Sequence, residues 1–321
     1  MELNAKIFVA GHRGLVGSAL VRCLQQAGYT NLLLRTHAEL ELTDSDAVAD
    51  FFANEKPDYV FLAAAMVGGI LANNTYPADF IHSNLAIQTN VIYSAYQHDV
   101  KRLLFLGSSC IYPRDCPQPI REEYLLTGPL EKTNRAYAVA KIAGIEMCHA
   151  YNRQFGTRFL AVMPTNLYGA GDNYDLQNSH VLPALIRKMH EAKLRGDDHV
   201  VIWGTGSPRR EFLFSDDLAE ACVYLMKLPA SPFVELLTES DTPALINIGC
   251  GEDQTIKELA DLVKRVVGFE RPLKFDTSKP DGSPRKLLDV SKLHAIGWMH
   301  HTPLLDGIKA TYSDFLARKI S

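Results

Sequence analysis

The sequence predicts an α/β protein with a doubly wound parallel sheet and a smaller mixed α/β lobe. Three observations indicate this fold. A glycine-rich turn directly follows the first apolar segment, short apolar segments then alternate with helical patterns, and the order becomes less regular beyond about Tyr168. We therefore predict a Rossmann domain over residues 1–167 and a second lobe over 168–321. The two are expected to interleave, because Leu245–Ile248 is predicted to rejoin the first sheet as a strand.

The composition is that of an ordinary globular protein. Of 321 residues, 47% are hydrophobic and 22% are charged. The formal net charge of −4 gives no attraction to nucleic acid or to anionic membranes. No apolar run approaches the ~20 residues of a membrane span. We expect no nucleic-acid partner, no membrane association and a cytoplasmic location.

The six cysteines are scattered along the chain and contain no Cys-x-x-Cys pair. This spacing favours neither a zinc site nor a disulfide framework. We expect no metal, and we expect most cysteines to be buried apolar residues.

The first apolar segment, Lys6–Ala10, predicts a buried strand. It runs into Gly11-His-Arg-Gly-Leu-Val-Gly17 and then into a helical pattern that ends at Gly28. A strand, a glycine turn and a helix form the unit that places a pyrophosphate at a helix N-terminus. The alternative is an ordinary strand-to-helix turn. The candidate dinucleotide contacts are Gly11, His12, Arg13, Gly14, Leu15, Val16 and Gly17.

The second predicted strand, Asn31–Leu34, is followed by Arg35-Thr36-His37. A carboxylate at this point would suit a free ribose 2′-hydroxyl, whereas arginine suits a 2′-phosphate. Arg35, together with Arg13, therefore favours NADP over NAD. The alternative is that both arginines are solvated surface residues.

The next segments continue the alternation of strands and helices. A helix is predicted to begin near Thr43, with Asp44 as its cap rather than as a ligand. A strand over Tyr59–Ala65 and a helix over about 79–98 follow. This alternation is typical of a parallel sheet whose ligands lie at the carboxyl ends of the strands.

A further strand, Leu103–Leu106, ends at Gly107-Ser108-Ser109-Cys110. An extended backbone would point Ser108 and Cys110 the same way. Both side chains are then candidates for a site at the end of this strand. The alternative for Cys110 is a small buried apolar residue.

Tyr137 and Lys141 stand four residues apart in a helical pattern, on one face of the helix. A nearby ammonium is expected to lower the phenol pKa toward neutrality. Such a pair suits proton transfer to a carbonyl oxygen while hydride reaches the carbon. By itself the spacing also fits an exposed helix pair, and the glycine turn and strand ends favour the catalytic interpretation.

The second lobe contains a predicted strand, Val200–Trp203, that leads to Arg209 and Arg210. Arginine forms bidentate bonds to a diphosphate, Trp203 offers a surface for ligand packing, and Lys188 offers a point charge. The alternatives are a core role for Trp203 and one charged loop for the two arginines. Asp281 lies in Pro-Asp-Gly, which is also a turn signal.

Four stretches resemble the extended short-chain dehydrogenase/reductase superfamily, and within it the enzymes that epimerise and reduce GDP-4-keto-6-deoxy-D-mannose. They are Ala10–Gly14, Leu106–Pro113, Met163–Gly169 and Lys279–Lys286. Related sugar-nucleotide dehydratases usually carry Asp-Glu where this chain has Ser109-Cys110, which argues against dehydration. The resemblance covers nearly the whole chain.

The resemblance implies NADPH, a homodimer and a set of site residues. Tyr137 would protonate O4 with support from Lys141 and Ser108, and Cys110 and His180 would be the proton-transfer pair of epimerisation. The GDP-sugar would be held by Lys188, Trp203, Arg210 and Asp281. Besides the glycine turn and Arg35, the NADPH contacts would be Leu106, Gly107, Ser108, Ser109, Lys141, Pro164, Thr165, Asn166, Leu167 and His180. Some members have a second basic residue at the position of His37. From its own sequence context, His180 is equally a capping or surface histidine.

The expected function is 3,5-epimerisation and NADPH-dependent reduction of GDP-4-keto-6-deoxy-D-mannose to GDP-L-fucose. A ketone at C4 acidifies the protons at C3 and C5, and a thiol and an imidazole both exchange protons near neutral pH. One alternative is another sugar-nucleotide epimerase or dehydratase with tightly bound NAD. A second is a non-catalytic NADP-sensing protein, against which the intact Tyr137/Lys141 pair argues.

Overall fold

The first half of the chain alternates strands and helices. A computed structural model describes residues 1–176, 179–238, 243–279 and 281–318. The first elements are β1 (Ile7–Ala10), α1 (Leu15–Gln26), β2 (Leu32–Leu33), α2 (Ser45–Glu55), β3 (Tyr59–Leu62), α3 (Ile70–Thr75), α4 (Pro77–Gln97), β4 (Arg102–Leu106), α5 (Arg135–Phe155) and β5 (Phe159–Pro164).

The remaining elements build the second lobe and complete the first sheet. They are β6 (Asn166–Tyr168), α6 (Val181–Arg195), β7 (Val200–Trp203), β8 (Arg209–Phe214), α7 (Ser215–Lys227), α8 (Ala230–Thr238), β9 (Leu245–Ile248), β10 (Asp253–Thr255), α9 (Ile256–Val267), β11 (Leu273–Asp276), β12 (Arg285–Lys286), α10 (Ser291–Ala295) and α11 (Leu304–Ala317). Short 3-10 helices cover Ser109–Ile111, Glu122–Tyr124 and Lys132–Asn134.

The central sheet has six parallel strands in the order β2-β1-β3-β4-β5-β9. β9 pairs with β5 from Ala161↔Leu245 to Pro164↔Ile248, so the chain returns to the first sheet from the second lobe. The strand order reverses between β1 and β3. In parallel α/β sheets the ligand crevice opens at such a reversal, beyond the carboxyl ends of the strands. The fold class predicted from the sequence is confirmed.

The second lobe is organised around β8. β10 pairs with β8 in antiparallel fashion, whereas β6 and β12 pair with it in parallel. β7 and β11 form a separate parallel pair. The division at residues 167 and 168 remains a prediction.

Apolar residues form a layer on each face of the central sheet and a third cluster in the second lobe. β1, β3, β4, β5 and β9 are buried along their whole length, as expected when helices cover both faces of a parallel sheet. One layer includes Leu20 of α1 and Leu218 of α7. The opposite layer includes Phe52 of α2 and Ile145 of α5.

Several element limits differ from the sequence prediction. β2 keeps only Leu32–Leu33, and β3 ends at Leu62 rather than at Ala65, so residues 63–69 form a loop. The next long helix begins at Pro77, after the separate short helix α3. The Asp44 cap is confirmed, since its carboxylate accepts hydrogen bonds from the backbone N–H groups of Asp46 and Ala47 at 3.0 Å. None of the helices in the described ranges is long and apolar enough to cross a membrane.

Candidate functional site

A cavity of about 1020 Å³ opens at the carboxyl ends of β1, β3, β4 and β5. Most of the predicted dinucleotide contacts line it, together with Tyr137. His12 and Arg13 lie outside this lining, although they belong to the same turn. The predicted residues that do line it are Gly11, Gly14, Leu15, Val16, Gly17, Arg35, Leu106, Gly107, Ser108, Ser109, Lys141, Pro164, Thr165, Asn166, Leu167 and His180.

The glycine turn brings backbone close enough to exclude side chains. Gly11 has a φ of +81°, and a Cβ there would stand 2.8 Å from the Cα of Ala64. A Cβ on Gly17 would overlap the carbonyl group of Gly11. α1 begins after Gly14 without a side-chain cap, so the N–H groups of its first turn point toward the cavity mouth with no side chain bonded to them. This arrangement fits the pyrophosphate of a dinucleotide.

Arg35 also lines this cavity. Its guanidinium donates to the Glu55 carboxylate at 2.6 Å and lies 5.5 Å from the centroid of the Phe51 ring. These contacts hold the side chain in place. Arg13 is exposed. That Arg13 and Arg35 together bind a 2′-phosphate remains a prediction.

Tyr137, Lys141 and Ser108 meet at the end of β4. Lys141 donates a hydrogen bond to the Leu106 carbonyl at 2.8 Å, and its Nζ lies 5.8 Å from the Tyr137 ring centroid. The Ser108 hydroxyl lies close enough to the Tyr137 phenol to favour the ionised form of that phenol. The Phe80 ring packs edge-on against that of Tyr137, with centroids 6.3 Å apart. The exposed helix pair is therefore the wrong interpretation of the Tyr137 and Lys141 spacing.

The expected lowering of the Tyr137 pKa is wrong. Burial is the largest effect, and it raises the pKa of Tyr137 well above its usual value, helped by Cys110 and opposed by the neighbouring Ser108 hydroxyl. Lys141 is itself buried, and burial lowers its pKa to about 8. Lys141 is therefore still mostly charged at pH 7, but its charge does not outweigh the effect of burial on the Tyr137 pKa. Tyr137 stays protonated and is ready to donate.

Cys110 lies beside Ser108, but the backbone between them is not extended as predicted. Ser108 has an extended backbone, and the chain then enters the 3-10 helix Ser109–Ile111, so the predicted extended spacing is wrong. The contact comes instead from the Cys110 N–H, which donates to the Ser108 hydroxyl at 3.5 Å. The cysteine is buried, and burial raises the pKa of its thiol, with Ser108, Lys286 and Lys141 acting in the opposite direction.

His180 stands just before α6, at the surface of the cavity that Tyr137 also lines. The protein around its ring lowers the pKa of His180, so the imidazole is neutral at pH 7. Its side chain does not cap α6.

Trp203 and Lys188 line a second, smaller cavity of about 270 Å³ in the second lobe. Trp203 is 56% exposed, so its interpretation as a core residue is wrong. Lys188 and Lys279 place their ammonium groups 5.1 and 5.5 Å from the centroid of its ring. No sequence pattern predicted a role for Lys279.

The two adjacent arginines have different surroundings. Arg209 is held by Asp253, with its Nε 2.7 Å from the carboxylate. Arg210 bonds only to backbone carbonyls within the described chain, those of Arg209 at 2.8 Å and Asp281 at 3.5 Å. Asp281 accepts hydrogen bonds from the backbone and the hydroxyl of Thr205, at 2.7 and 2.8 Å. Arg210 is therefore the arginine whose guanidinium is available to an anion.

Sequence reasoning missed several residues at the site. Lys286 lies among Cys110, Arg210 and Glu131, and burial lowers its pKa. Lys286 ends the stretch Lys279–Lys286, and the resemblance of that stretch implies no role for it. The cavity wall also contains the residues Leu40, Glu41, Leu42, Thr43, Met66, Val67, Gly68, Ser83, Ile87, Asp172, Asn173 and Ser179. The signal available for Met66–Gly68 was their position just beyond a buried strand.

A family model, the NAD dependent epimerase/dehydratase family, matches residues 7–236. A curated relative from Arabidopsis thaliana, putative GDP-L-fucose synthase 2, is 62% identical over 98% of this chain and 93% of its own length. The GDP-L-fucose synthase of Escherichia coli K12 is 55% identical over 97% of this chain and 96% of its own. A solved GDP-D-glycero-L-gluco-heptose synthase from Campylobacter jejuni, in the presence of NADPH, is 43% identical with a TM-score of 0.92 and covers 98% of this chain and 99% of its own. With its glycine turn and its Ser108, Tyr137 and Lys141 cluster, the chain belongs to the NAD dependent epimerase/dehydratase family.

Proposed function

We propose that the protein converts GDP-4-keto-6-deoxy-D-mannose to GDP-L-fucose by 3,5-epimerisation and NADPH-dependent reduction of the C4 ketone. The observation that carries this proposal is the meeting of Ser108, Cys110 and Tyr137 beside the dinucleotide cavity. It stands in a chain 55–62% identical to GDP-L-fucose synthases.

NADPH supplies the hydride that reduces the ketone. The glycine turn with the N-terminus of α1 would hold its pyrophosphate, Arg35 its 2′-phosphate, and Lys141 its nicotinamide ribose. Tyr137 donates a proton to O4, and Ser108 holds O4 by a second hydrogen bond. A tyrosine that remains protonated at every working pH suits this role as an acid.

Epimerisation uses the same hydrogen bonds from Tyr137 and Ser108 to O4. Removal of a proton from C3 or C5 leaves an enolate, whose negative oxygen is stabilised by the hydroxyls of Tyr137 and Ser108. Cys110 and His180 exchange the carbon-bound protons. Burial keeps the Cys110 thiol protonated, and the pKa of His180 is lowered from its usual value, so the resting site contains one proton donor and one acceptor.

The second lobe binds the nucleotide. Arg210, whose guanidinium has no carboxylate partner among the described residues, pairs with the diphosphate. Lys188 adds positive charge, and the exposed ring of Trp203 packs against the ligand. Asp281 supports the site indirectly, by accepting hydrogen bonds from Thr205 in the loop that follows Trp203.

Replacing the thiol separates the two half-reactions. In Cys110→Ser, we expect deuterium exchange from solvent into C3 and C5 to fall at least about a hundredfold, because a general acid–base group contributes roughly 10²–10⁴ to the rate. Slow reduction of the unepimerised ketone persists, because Tyr137 is intact. Cys250→Ser, which changes a half-buried thiol outside the site, should leave both activities unchanged. Equal loss of both activities in Cys110→Ser would contradict the role given to Cys110.

We also propose a cytoplasmic homodimer. α4 and α5 pack side by side, and their outer face exposes Tyr93 and Phe155, at 50% and 46%. Tyr96 stacks on Phe155 with ring centroids 4.3 Å apart, which extends the aromatic surface. A two-fold axis would bury this face in both copies. All six cysteines are free thiols, which suits a reducing compartment.

The measured mass in solution tests the dimer. Light scattering should give about twice 35.7 kDa for the protein. In Phe155→Glu the mass should fall toward that of one chain, since the substitution places like charges across the axis. A single-chain mass for the unmodified protein would refute the proposal.

A further inference from the structure

The loop after β3 forms a fixed wall of the large cavity. Two buried asparagines hold its main chain, the segment Met66–Gly69. The Asn84 amide accepts a hydrogen bond from the Met66 N–H at 3.1 Å and donates one to the Met66 carbonyl at 3.0 Å. Asn73 donates to the carbonyls of Gly68 and Gly69 at 2.7 and 3.1 Å. Four hydrogen bonds from buried side chains leave this segment little freedom.

Val67 is the apolar side chain that this wall presents. It lines the cavity and is 64% exposed, although its neighbours in the chain are tied down. A single exposed apolar residue is ordinary on a protein surface and means little alone. Here the hydrogen bonds of Asn73 and Asn84 fix the backbone on both sides of Val67, so its side chain is a preformed apolar contact for a ligand.

The wall stands beside the reacting centre. A Cβ on Gly68 would lie 3.1 Å from the edge of the Phe80 ring, so the two are in contact. Phe80 in turn packs against the ring of Tyr137. The segment that carries Val67 thus packs through Gly68 onto Phe80, and Phe80 packs onto the phenol ring that lines the same cavity.

The proposed substrate has one apolar group near O4. Its C6 is a methyl group on C5, the carbon adjacent to C4, whereas the other ring substituents are polar. A residue next to the O4 partner is therefore well placed to contact this methyl group. We infer that Val67 selects the 6-deoxy sugar by packing against its C6 methyl group. The inference deepens the proposed function and rests on it.

The test compares two ketones that differ at C6. The ratio of kcat/KM for GDP-4-keto-6-deoxy-D-mannose to that for its 6-hydroxylated counterpart, GDP-4-keto-D-mannose, is measured by NADPH oxidation. In Val67→Thr, which keeps the shape and replaces one methyl group by a hydroxyl, we expect the ratio to fall about fourfold, the equivalent of one buried methyl group. In Val67→Ala we expect kcat/KM for the 6-deoxy ketone to fall by a similar factor. The change should lie in KM, while the Kd for NADPH stays the same.

Leu71→Gln is the matched control. Leu71 is 57% exposed on α3, close in sequence to Val67 and outside the cavity lining, and this change should leave the ratio unaltered. An unchanged ratio in Val67→Thr, an equal change in Leu71→Gln, or a parallel loss of NADPH affinity would each overturn the inference while leaving the proposed function intact. Absence of NADPH oxidation by the unmodified protein with the 6-deoxy ketone would overturn both.

Discussion

At the scale of single residues, burial shifts the pKa values at the site more than neighbouring charges do. Lys141 was expected to lower the pKa of Tyr137, yet both side chains are enclosed by protein, and each is pushed toward its uncharged form. Sequence spacing indicated correctly that the two share a helix face. It contained no information on how deeply the pair would be enclosed, because enclosure comes from Phe80 and Phe105, which lie far away in the chain.

The lowered pKa of Lys141 predicts an alkaline fall in activity. As the pH rises through about 8, Lys141 loses its proton and its charge, so the rate of hydride transfer should decrease. The pH profile of single-turnover NADPH oxidation between pH 6 and 10 measures this. Lys141→Arg, which stays charged throughout this range, should be slower overall and should lack the fall near pH 8. The same midpoint in both proteins would show that another group is responsible.

Arg35 is expected to distinguish NADPH from NADH. Arg35→Ala removes a charge-assisted contact to the 2′-phosphate, and we expect the Kd for NADPH to rise at least about tenfold. The Kd for NADH should change little, because NADH has no phosphate at that position. Fluorescence titration with each dinucleotide measures both values. Arg271→Ala, at an exposed position in the second lobe, is the control. An equal weakening of both dinucleotides would argue that Arg35 supports the fold rather than the phosphate.

At the scale of elements, features that depend on neighbouring residues could be predicted from the sequence. Features that depend on residues far away in the chain could not. The glycine turn, the Asp44 cap and the strand–helix alternation depend on neighbouring residues, and all are present. The 3-10 helix at Ser109–Ile111 was missed, because the apolar pattern around it also fits an extended chain. The sequence predicts strand as far as Ala65, whereas the loop begins at residue 63, because the form of this loop depends on Asn73 and Asn84 in later helices.

The cap of α2 should contribute to stability without affecting catalysis. Asp44→Ala removes the acceptor for two N–H groups, and we expect the free energy of unfolding to fall by about 1 kcal/mol. Urea denaturation measures this change. Asp50→Ala, at an exposed position within the same helix, should cost much less. An equal loss in the two variants would mean that the cap bonds add nothing beyond helix propensity.

At the scale of the whole molecule, one buried glutamate joins segments that lie far apart in the chain. Glu211 of β8 is fully buried and accepts hydrogen bonds from the N–H groups of Gly251 at 2.7 Å and Leu288 at 3.0 Å. Its backbone carbonyl accepts a hydrogen bond from Asn166, which lines the dinucleotide cavity. Sequence patterns predicted that β9 would return to the first sheet. They did not predict this carboxylate, whose partners are dispersed along the chain.

The central claim is that one site runs both epimerisation and reduction. The most direct measurement is NADPH oxidation with GDP-4-keto-6-deoxy-D-mannose in deuterated water, followed by determination of the product's ring stereochemistry and its deuterium content. We predict one NADPH oxidised per product, deuterium at C3 and C5, and the L-fuco configuration. Reduction to a product that retains the D-configuration and carries no deuterium at these carbons, or turnover without net NADPH consumption, would contradict the account.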